Sequence, residues 1–505
     1  MRIDTETDID ILRQKAALLQ RENDLLHTRL ADLTAQLDKL QGGDGAALQQ
    51  ELAYLKERLE AQSRALFGKS SEKRKDESAT KPERPPQTGH GPREQPQLPI
   101  VEEVHELDDA DKTCPACGGD LSPMTGQYEE ADEIDVVERT FRIVRHKRQK
   151  YRCQCQACID TALGPAKHIR GGRYSLRFAV HVAADKYALH MPLTRQVQEM
   201  AQQGLVVDSQ TLWDQTEGLA KVLQPTYEAL PAEIKADAVI GADETRWPLL
   251  DGTAKTWWAW SMVSRGGVYY QIANSRSHDE AGKLLGDYAG AVITDAYSAY
   301  QALRKERIAA GKQPFLNPHC WAHCRRKYVA AEPHQPEAQV VLALISKLYA
   351  IEVKAKAAHP DDEVAWLQHL GELRKTESVA VLGEIRKWRQ GLRVLPKSAL
   401  GRAVKYMDDN WLDLGLFVGD ARIPLDNNDA ERGMRRLAVG RKNHYGSKSL
   451  RGTQVAAVFY SLIESAHRLG LDPKGYLLAV ATAAIADPKA VLLPRMYAEQ
   501  MRASG

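Results

Sequence analysis

The chain has 505 residues, more than one hydrophobic core can organise, so three or more domains are expected. A net charge of +2 provides no global excess for binding nucleic acid, so any such role has to rest on local patches. No apolar run of about 18 residues occurs, and the opening MRIDTETDID has no apolar signal core; a cytoplasmic protein with no membrane partner is expected.

Leu12, Leu19, Leu26, Leu33 and Leu40 are spaced by sevens, with Ala16, Asn23, Leu30 and Leu37 at the companion positions. This seam predicts a leucine-zipper-like coiled coil within residues 1–68, and Asn23 favours one register and a two-stranded state, so the chain is expected to be at least a dimer. Residues 69–105, rich in Pro, Lys, Glu and Gly, predict a disordered linker. The Cys residues fall in two clusters, at 114–158 and 320–324, a pattern that points to metal before disulfide. Cys114 and Cys117 form one Cys-x-x-Cys knuckle and Cys155 and Cys158 a second, with Cys153 a competing ligand; structural Zn²⁺ in a ribbon over 106–165 is predicted. Between the knuckles, RTFRIVRHKRQKYR (139–152) alternates basic residues with Phe141, Ile143 and Val144. It predicts a strand whose basic face, including Arg145, Lys147 and Arg148, contacts phosphate.

Residues 166–232 read as a helical, helix-turn-helix-like DNA-binding region. LTRQVQEMAQQ is the first helix, GLVVD the turn, and SQTLWDQTEGLAKVL a second helix capped by Asp208 or Ser209. Its opening residues, Ser209, Gln210 and Thr211, would face DNA. From 237 the period changes to that of strands. Three meander strands, a helix begun by a Ser277-x-x-Glu280 capping box, the short strand AVITDAY and a further helix give an α/β unit of ribonuclease-H-like order over 233–333. A helical insertion at 334–420 interrupts this unit, which resumes at 421–470 before a C-terminal helical tail at 471–505. The expected class is multidomain α+β.

Three carboxylates draw attention. Asp243 lies in the first strand, Asp295 at the end of the fourth, and these strands are neighbours in such a sheet. Glu431 would face inward one turn into a helix capped by Asp426 or Asn427. Three hard oxygen ligands from separate elements suit two Mg²⁺ ions, or Mn²⁺, and a two-metal phosphoryl displacement. Glu244 competes with Asp243, since adjacent strand residues face opposite ways. Asn427 would stand beside Glu431, and Arg432, Arg435, Arg436, Arg441 and Lys442 would handle phosphates. In HCWAHC (319–324), the reading adopted places Cys320 and Trp321 in the core and His323 near the active site. The competing reading is a metal site of His319, Cys320, His323 and Cys324.

Taken together, LFGKSSEK (66–73), CPACGG (114–119), MPLTRQVQ (191–198), ADET (242–245), TDAYSAY (294–300), CWAHCRRKY (320–328), DNNDAERGMR (426–435), GRKN (440–443) and YSLIESA (460–466) resemble, in order, the insertion sequence 66 family of transposases. That family is of the Asp-Asp-Glu type, so the resemblance implies a ribonuclease-H-like core with catalysis on Asp243, Asp295 and Glu431. It implies binding of the element's terminal repeats and target DNA, with metal-dependent cleavage and strand transfer. Accessory proteins of the same element and association with a bacterial nucleoid belong to the same expectation. The alternative is a non-catalytic, zinc-containing DNA-binding repressor. YRCQCQAC (151–158) departs from the family pattern with three Cys where two are usual. If the ribbon is built on zinc, a 106–165 fragment should bind about one Zn²⁺, because structural zinc supplies folding free energy to such a small unit. Metal analysis checks this, and a fragment that stays folded after thorough chelation refutes it.

Overall fold

The computed structural model describes residues 140–152, 159–252 and 256–504, with a few isolated positions before them. The heptad leucines, nearly all of the 69–105 linker, and Cys114, Cys117, Cys153, Cys155 and Cys158 lie outside the described residues. The chain divides into two compact units, residues 67–140 and the remainder. The second unit is described below.

Strands β1 (Lys150–Arg152) and β2 (Ile159–Thr161) pair antiparallel as a small hairpin. Only its last three residues make the strand predicted over 139–152. The preceding residues are irregular, and Ile143 and Val144 are exposed, with no partner strand over them among the described residues. Phe141 packs edge-on against Phe178.

Three helices follow: α1 (Leu176–Tyr187), α2 (Leu193–Gln202) and α3 (Ser209–Lys235). Ser175 caps α1 by accepting from the Phe178 N–H, and Asp208 caps α3 by accepting from the Thr211 N–H at 2.6 Å. Val182, Met200 and Leu212 form a small buried cluster joining all three. Yet α3 does not stop at 232. It continues through Pro225 and Pro231, and its second half (Leu219, Leu223, Leu230, Ile234) belongs to the main core.

That core is built on a four-stranded sheet of order β5-β4-β3-β6. Strands β3 (Val239–Trp247), β4 (Trp257–Ser264) and β5 (Gly267–Ala273) run as an antiparallel meander, and β6 (Ala291–Ile293) lies parallel to β3. The segment through Leu316 and His319 extends the sheet beyond β6 with two parallel bridges. Helices α4 (His278–Leu285) and α5 (Ser298–Ala309) cover the face of Glu244, Trp260 and Gln271; Tyr300 meets Trp260 edge-on, and Gln271 donates to Glu280. The expected capping box at α4 does not form. Ser277 turns its hydroxyl to Asp279, and Glu280 is engaged by Lys283 and Gln271 instead.

Helix α6 (Trp321–Ala331) leads into α7 (Ala338–Ala358), α8 (Glu363–Leu373), a π-helical turn (Arg374–Ser378), α9 (Val379–Gly391), α10 (Ala399–Asp409), α11 (Trp411–Leu414) and a 3₁₀ turn (Leu416–Val418). These have their own core, which also takes in Trp321, Cys324 and Tyr328 of α6. The chain then returns as α12 (Asn428–His444), α13 (Leu450–Arg468), α14 (Pro473–Ala486) and α15 (Pro494–Ser504). Helix α14 is no loose tail: Tyr476, Leu477, Val480 and Ala481 are buried in the main core. Helix α13 covers the outer edge of the sheet. Ser461 accepts from the Tyr270 N–H at 2.9 Å, and Ser465 both accepts from the Val268 N–H at 2.8 Å and donates to the Val268 carbonyl at 3.0 Å. Gly267 permits this approach, since a Cβ there would lie 2.7 Å from the Ser465 hydroxyl. Among the described residues no helix is long and apolar enough to cross a membrane.

One buried cation holds the return segment. Arg374, in the π turn and 1% exposed, makes a two-pronged pair with Glu352 at 2.8 and 2.7 Å and donates to the carbonyls of Phe417, Asp420 and Ile423 at 2.8, 3.1 and 2.9 Å. Arg374→Ala strands Glu352 and three carbonyls at once, and should cost about 3–5 kcal/mol of stability in chemical denaturation. A loss below about 1 kcal/mol would show that water replaces the guanidinium.

Candidate active site

Strand β3 presents alternate residues to opposite faces. Asp243, Ser261 and Tyr270 form one cross-strand row beneath α12, and the Tyr270 hydroxyl donates to the Gly433 carbonyl at 2.6 Å. Helix α12 sits against β3 because Gly241 has no side chain. A Cβ there would come 2.7 Å from Asn427 Oδ1 and 3.1 Å from Ala430 Cβ. Asn427 locks the contact, its Nδ2 donating to the Ala242 carbonyl at 2.8 Å. It stands at the N-terminal boundary of α12 but makes no side-chain cap. Asp426 takes the local role, accepting from the Asn428 N–H at 3.1 Å and from the Tyr349 hydroxyl at 3.0 Å, which ties the insertion to this corner.

Asp295 arrives from β6. Gly241 is level with Ile293, so two residues on Asp295 comes level with Asp243. The turn that carries it is strained: Ala296 has φ +70°, a left-handed conformation that costs an L-residue roughly 1–2 kcal/mol. Asp295 holds the turn from within by accepting from the Tyr297 N–H at 3.0 Å, and Tyr406 of the insertion donates to the Asp295 carbonyl at 3.1 Å.

Glu431, one turn into α12, completes the group. Burial, then Glu244, Asp295 and Glu431 in decreasing order, push the Asp243 carboxyl up to about 8, offset partly by the Glu244 N–H. Asp243 is therefore close enough to Asp295 and Glu431 to feel the charge of both. Glu431 has His323 Nδ1 at 3.6 Å, on a ring that burial keeps from protonating, and the Arg326 guanidinium at 3.8 Å, both too far to be hydrogen bonds. Glu431 Oε1, His323 Nδ1 and Asn427 Oδ1 are buried with no hydrogen-bond partner. Such orphans cost about 1–3 kcal/mol each unless a ligand engages them, and all three offer lone pairs. Repelling carboxylates beside unsatisfied acceptors are the chemistry of a divalent-cation site.

Glu244 faces the opposite side of β3, but it is not idle. Arg276 Nε donates to it at 3.0 Å, and the guanidinium stacks 3.8 Å from the Tyr297 ring and 4.6 Å from that of Trp258. No spacing rule links positions 244 and 276, so Arg276 escapes a reading of the sequence. A buried strand acid facing α5 was the only hint that a cation had to exist. His323 lies at the site, while Cys324 is buried in the insertion's core and His319 is buried against Asn317, so the competing His-Cys-His-Cys quartet does not assemble.

The residues expected at DNA divide. Arg145 and Lys147 are exposed, whereas Arg148 Nε is bound to the Ala162 carbonyl at 2.6 Å. Ser209 and Gln210 are exposed at the start of α3, with Thr211 half-buried. On α12, Arg432, Arg435 and Lys442 are exposed, and Arg432 pairs with Asp429 at 3.1 Å. Arg436 and Arg441 have partners within the protein as well. Arg436 bonds His467 at 2.8 Å and lies 3.6 Å from buried Glu464; Arg441 is tied to the Thr245 hydroxyl at 2.8 Å and to the Arg246 carbonyl, holding the end of α12 to β3.

Comparison with known proteins places the chain among the transposases, DNA-binding proteins of mobile elements. The model described as "Transposase IS66 family" matches residues 171–455, and that described as "zinc-finger binding domain of transposase IS66" matches residues 111–156. The chain belongs to the insertion sequence 66 family. Similar proteins include "Uncharacterized protein y4jD" of Sinorhizobium fredii, 32% identical over 386 residues, 73% of this chain and 74% of the relative. "Uncharacterized protein y4qI" of the same organism is 27% identical over 526 residues, 95% of this chain and 94% of the relative. No solved structure matches.

The raised Asp243 carboxyl has a consequence for stability. Its folded-state value near 8 exceeds the ordinary 3.8, so the folded chain keeps a proton that the unfolded chain gives up. Stability in the absence of divalent ions therefore falls as pH rises from about 4 to about 8. Asp243→Asn removes this penalty and should stabilise the metal-free chain at pH 8 by on the order of 1–3 kcal/mol, the gain fading toward pH 4. Equal melting temperatures for both chains at the two pH values would refute it.

Proposed function

We propose that this transposase cleaves DNA at the ends of its element and joins them to target DNA, using divalent metal held by Asp243, Asp295 and Glu431. The observation that carries the reading is the convergence of these three carboxylates from β3, the end of β6 and α12: burial and then Glu244 do most to push the Asp243 carboxyl up to about 8, and the charges of Asp295 and Glu431 add to it. The sheet order supports a ribonuclease-H-like core: an antiparallel meander, a helix, and a strand parallel to the first. Bound there, a pair of Mg²⁺ or Mn²⁺ ions would supply Lewis-acid stabilisation of an in-line phosphoryl displacement. The residues of the chain do the positioning. Asn427 fixes the start of α12 on β3, so that Glu431 enters over Asp243. The Asp295 turn is held from the insertion by Tyr406.

DNA would run past the exposed side of α12. Arg432, Arg435 and Lys442 are spaced by three and seven residues and so share one helical face. Arg326 of α6 continues this basic surface beside Glu431. End recognition would fall to the zinc ribbon and to the exposed start of α3, with Ser209, Gln210 and Thr211 toward base edges and Arg145 and Lys147 toward phosphate. Two ends would be brought together by a dimer formed through the heptad seam.

Glu431→Gln keeps shape and hydrogen bonding but removes the charge, as do Asp243→Asn and Asp295→Asn. Each should reduce strand transfer on terminal-repeat DNA by roughly a thousandfold or more with end binding retained, and double variants should be no worse than singles because the three act as one unit. Arg435→Ala should instead weaken binding and flatten its salt dependence by about one ion. Near-normal strand transfer by Glu431→Gln refutes the assignment.

A further inference from the structure

A second donor set lies beside the three carboxylates. Cys320, His323 and Glu431 offer a thiol, an imidazole and a carboxylate whose ligating atoms all lie within 4.8 Å of one another. They come from the start of α6 and the first turn of α12, which the Trp321 N–H joins by donating to the Leu425 carbonyl at 2.9 Å. Two of the donors, His323 Nδ1 and Glu431 Oε1, are the buried, unpartnered atoms noted above. The third, Cys320, is wholly buried, yet its Sγ accepts from the Asn427 N–H at 3.2 Å. Burial pushes its thiol up to about 11, offset in part by the N–H groups of Asn427, His323 and Ala322, so a bound ion has to hold it as the thiolate.

We propose that Cys320, His323 and Glu431 form a clasp for one borderline divalent ion such as Zn²⁺ or Co²⁺, distinct from the oxygen-ligand site and sharing Glu431 with it. The donor chemistry separates the two: carboxylates alone suit Mg²⁺ and Mn²⁺, whereas sulfur and nitrogen with one oxygen suit zinc and cobalt. Ligation requires donor–metal distances of about 2.0–2.3 Å, hence donors roughly 3.5 Å apart. Closing from the present spacing asks for rotation of the His323 ring and the Glu431 carboxylate, neither of which would break a hydrogen bond. Charge balances: Cys320 releases its proton to solvent, and thiolate plus carboxylate neutralise the ion. A fourth position stays open to water. Because Glu431 cannot serve both sites in one geometry, a zinc-class ion here opposes assembly of the catalytic metals. That consequence rests on the proposed role of Glu431; the clasp itself does not.

The test is Co²⁺ titration of the full chain with its ribbon already loaded with zinc, read by the thiolate-to-cobalt charge-transfer absorption. The intact chain should bind one cobalt with this band. Cys320→Ser should lose the band, and His323→Ala should weaken cobalt binding by roughly tenfold or more. Asp243→Asn should keep the band, since Asp243 is no part of the clasp. An equal band in the intact chain and in Cys320→Ser would belong to the ribbon and overturn the inference. If Cys320→Ser fails to fold, His323→Ala decides alone, and unchanged cobalt affinity overturns it. A clasp that fails while Mg²⁺-supported strand transfer still depends on Asp243 leaves the catalytic reading standing. Loss of that dependence with the cobalt band intact has the opposite meaning.

Discussion

The distance between α12 and β3 governs the rest of the site. Glu431 is separated from Asp295 by the whole insertion, and nothing local brings them together. The approach is set where Gly241 leaves space for Asn427 and Ala430, and where Asn427 bonds the Ala242 carbonyl. A methyl group at 241 would have to displace a polar side chain or the helix. The insertion serves the same contact from the far side. Arg374 gathers the carbonyls before residue 424, and Tyr349 holds Asp426, so the chain reaches α12 already oriented. What looks like an interruption of the core is a scaffold for the start of α12, and so for Glu431.

Electrostatics complete the picture. A site that collects negative charge without a cation is under tension, and it is distributed unevenly. Burial places most of it on Asp243, while Glu244, equally part of β3, is relieved by an arginine held between two aromatic rings. Burial thus raises both adjacent acids in ADET, but Glu244 has a guanidinium against it to offset part of the cost. The strained Ala296 beside Asp295 fits this division, because strain persists where surroundings over-determine a backbone and such places are often functional.

Much of this was legible in the amino-acid sequence, for definite reasons. The strands announce themselves by the change of period from residue 237. The order of elements then implies that Asp243 and Asp295 are neighbours. Glu431 was legible from the unusual company of DNNDAERGMRR and from the family resemblance, but not its relation to Cys320, since contacts across a hundred residues leave no trace in spacing. The basic strand at 139–152 misled because alternation describes a strand only where a partner buries one face, and Ile143 has none among the described residues. The extent of α3 was hidden by Pro225 and Pro231, which ordinarily end helices but here are carried by packing on the main core. Arg441 and Arg436 show the limit of reading charge as surface: each meets a partner that only the folded chain supplies.

The serines of α13 bear on how copies of this protein can associate. An outermost strand normally exposes a row of unpaired amides and carbonyls, an invitation to pair with another chain. On β5 the groups at Val268 and Tyr270 are already occupied by Ser465 and Ser461, and the helix that carries these serines stands in the way of any incoming strand. Continuous β-structure between copies is closed off along this margin, and with it one familiar route to aggregation. Along this margin any association between copies is left to surfaces made of side chains, which part more readily than a continuous ladder of backbone hydrogen bonds.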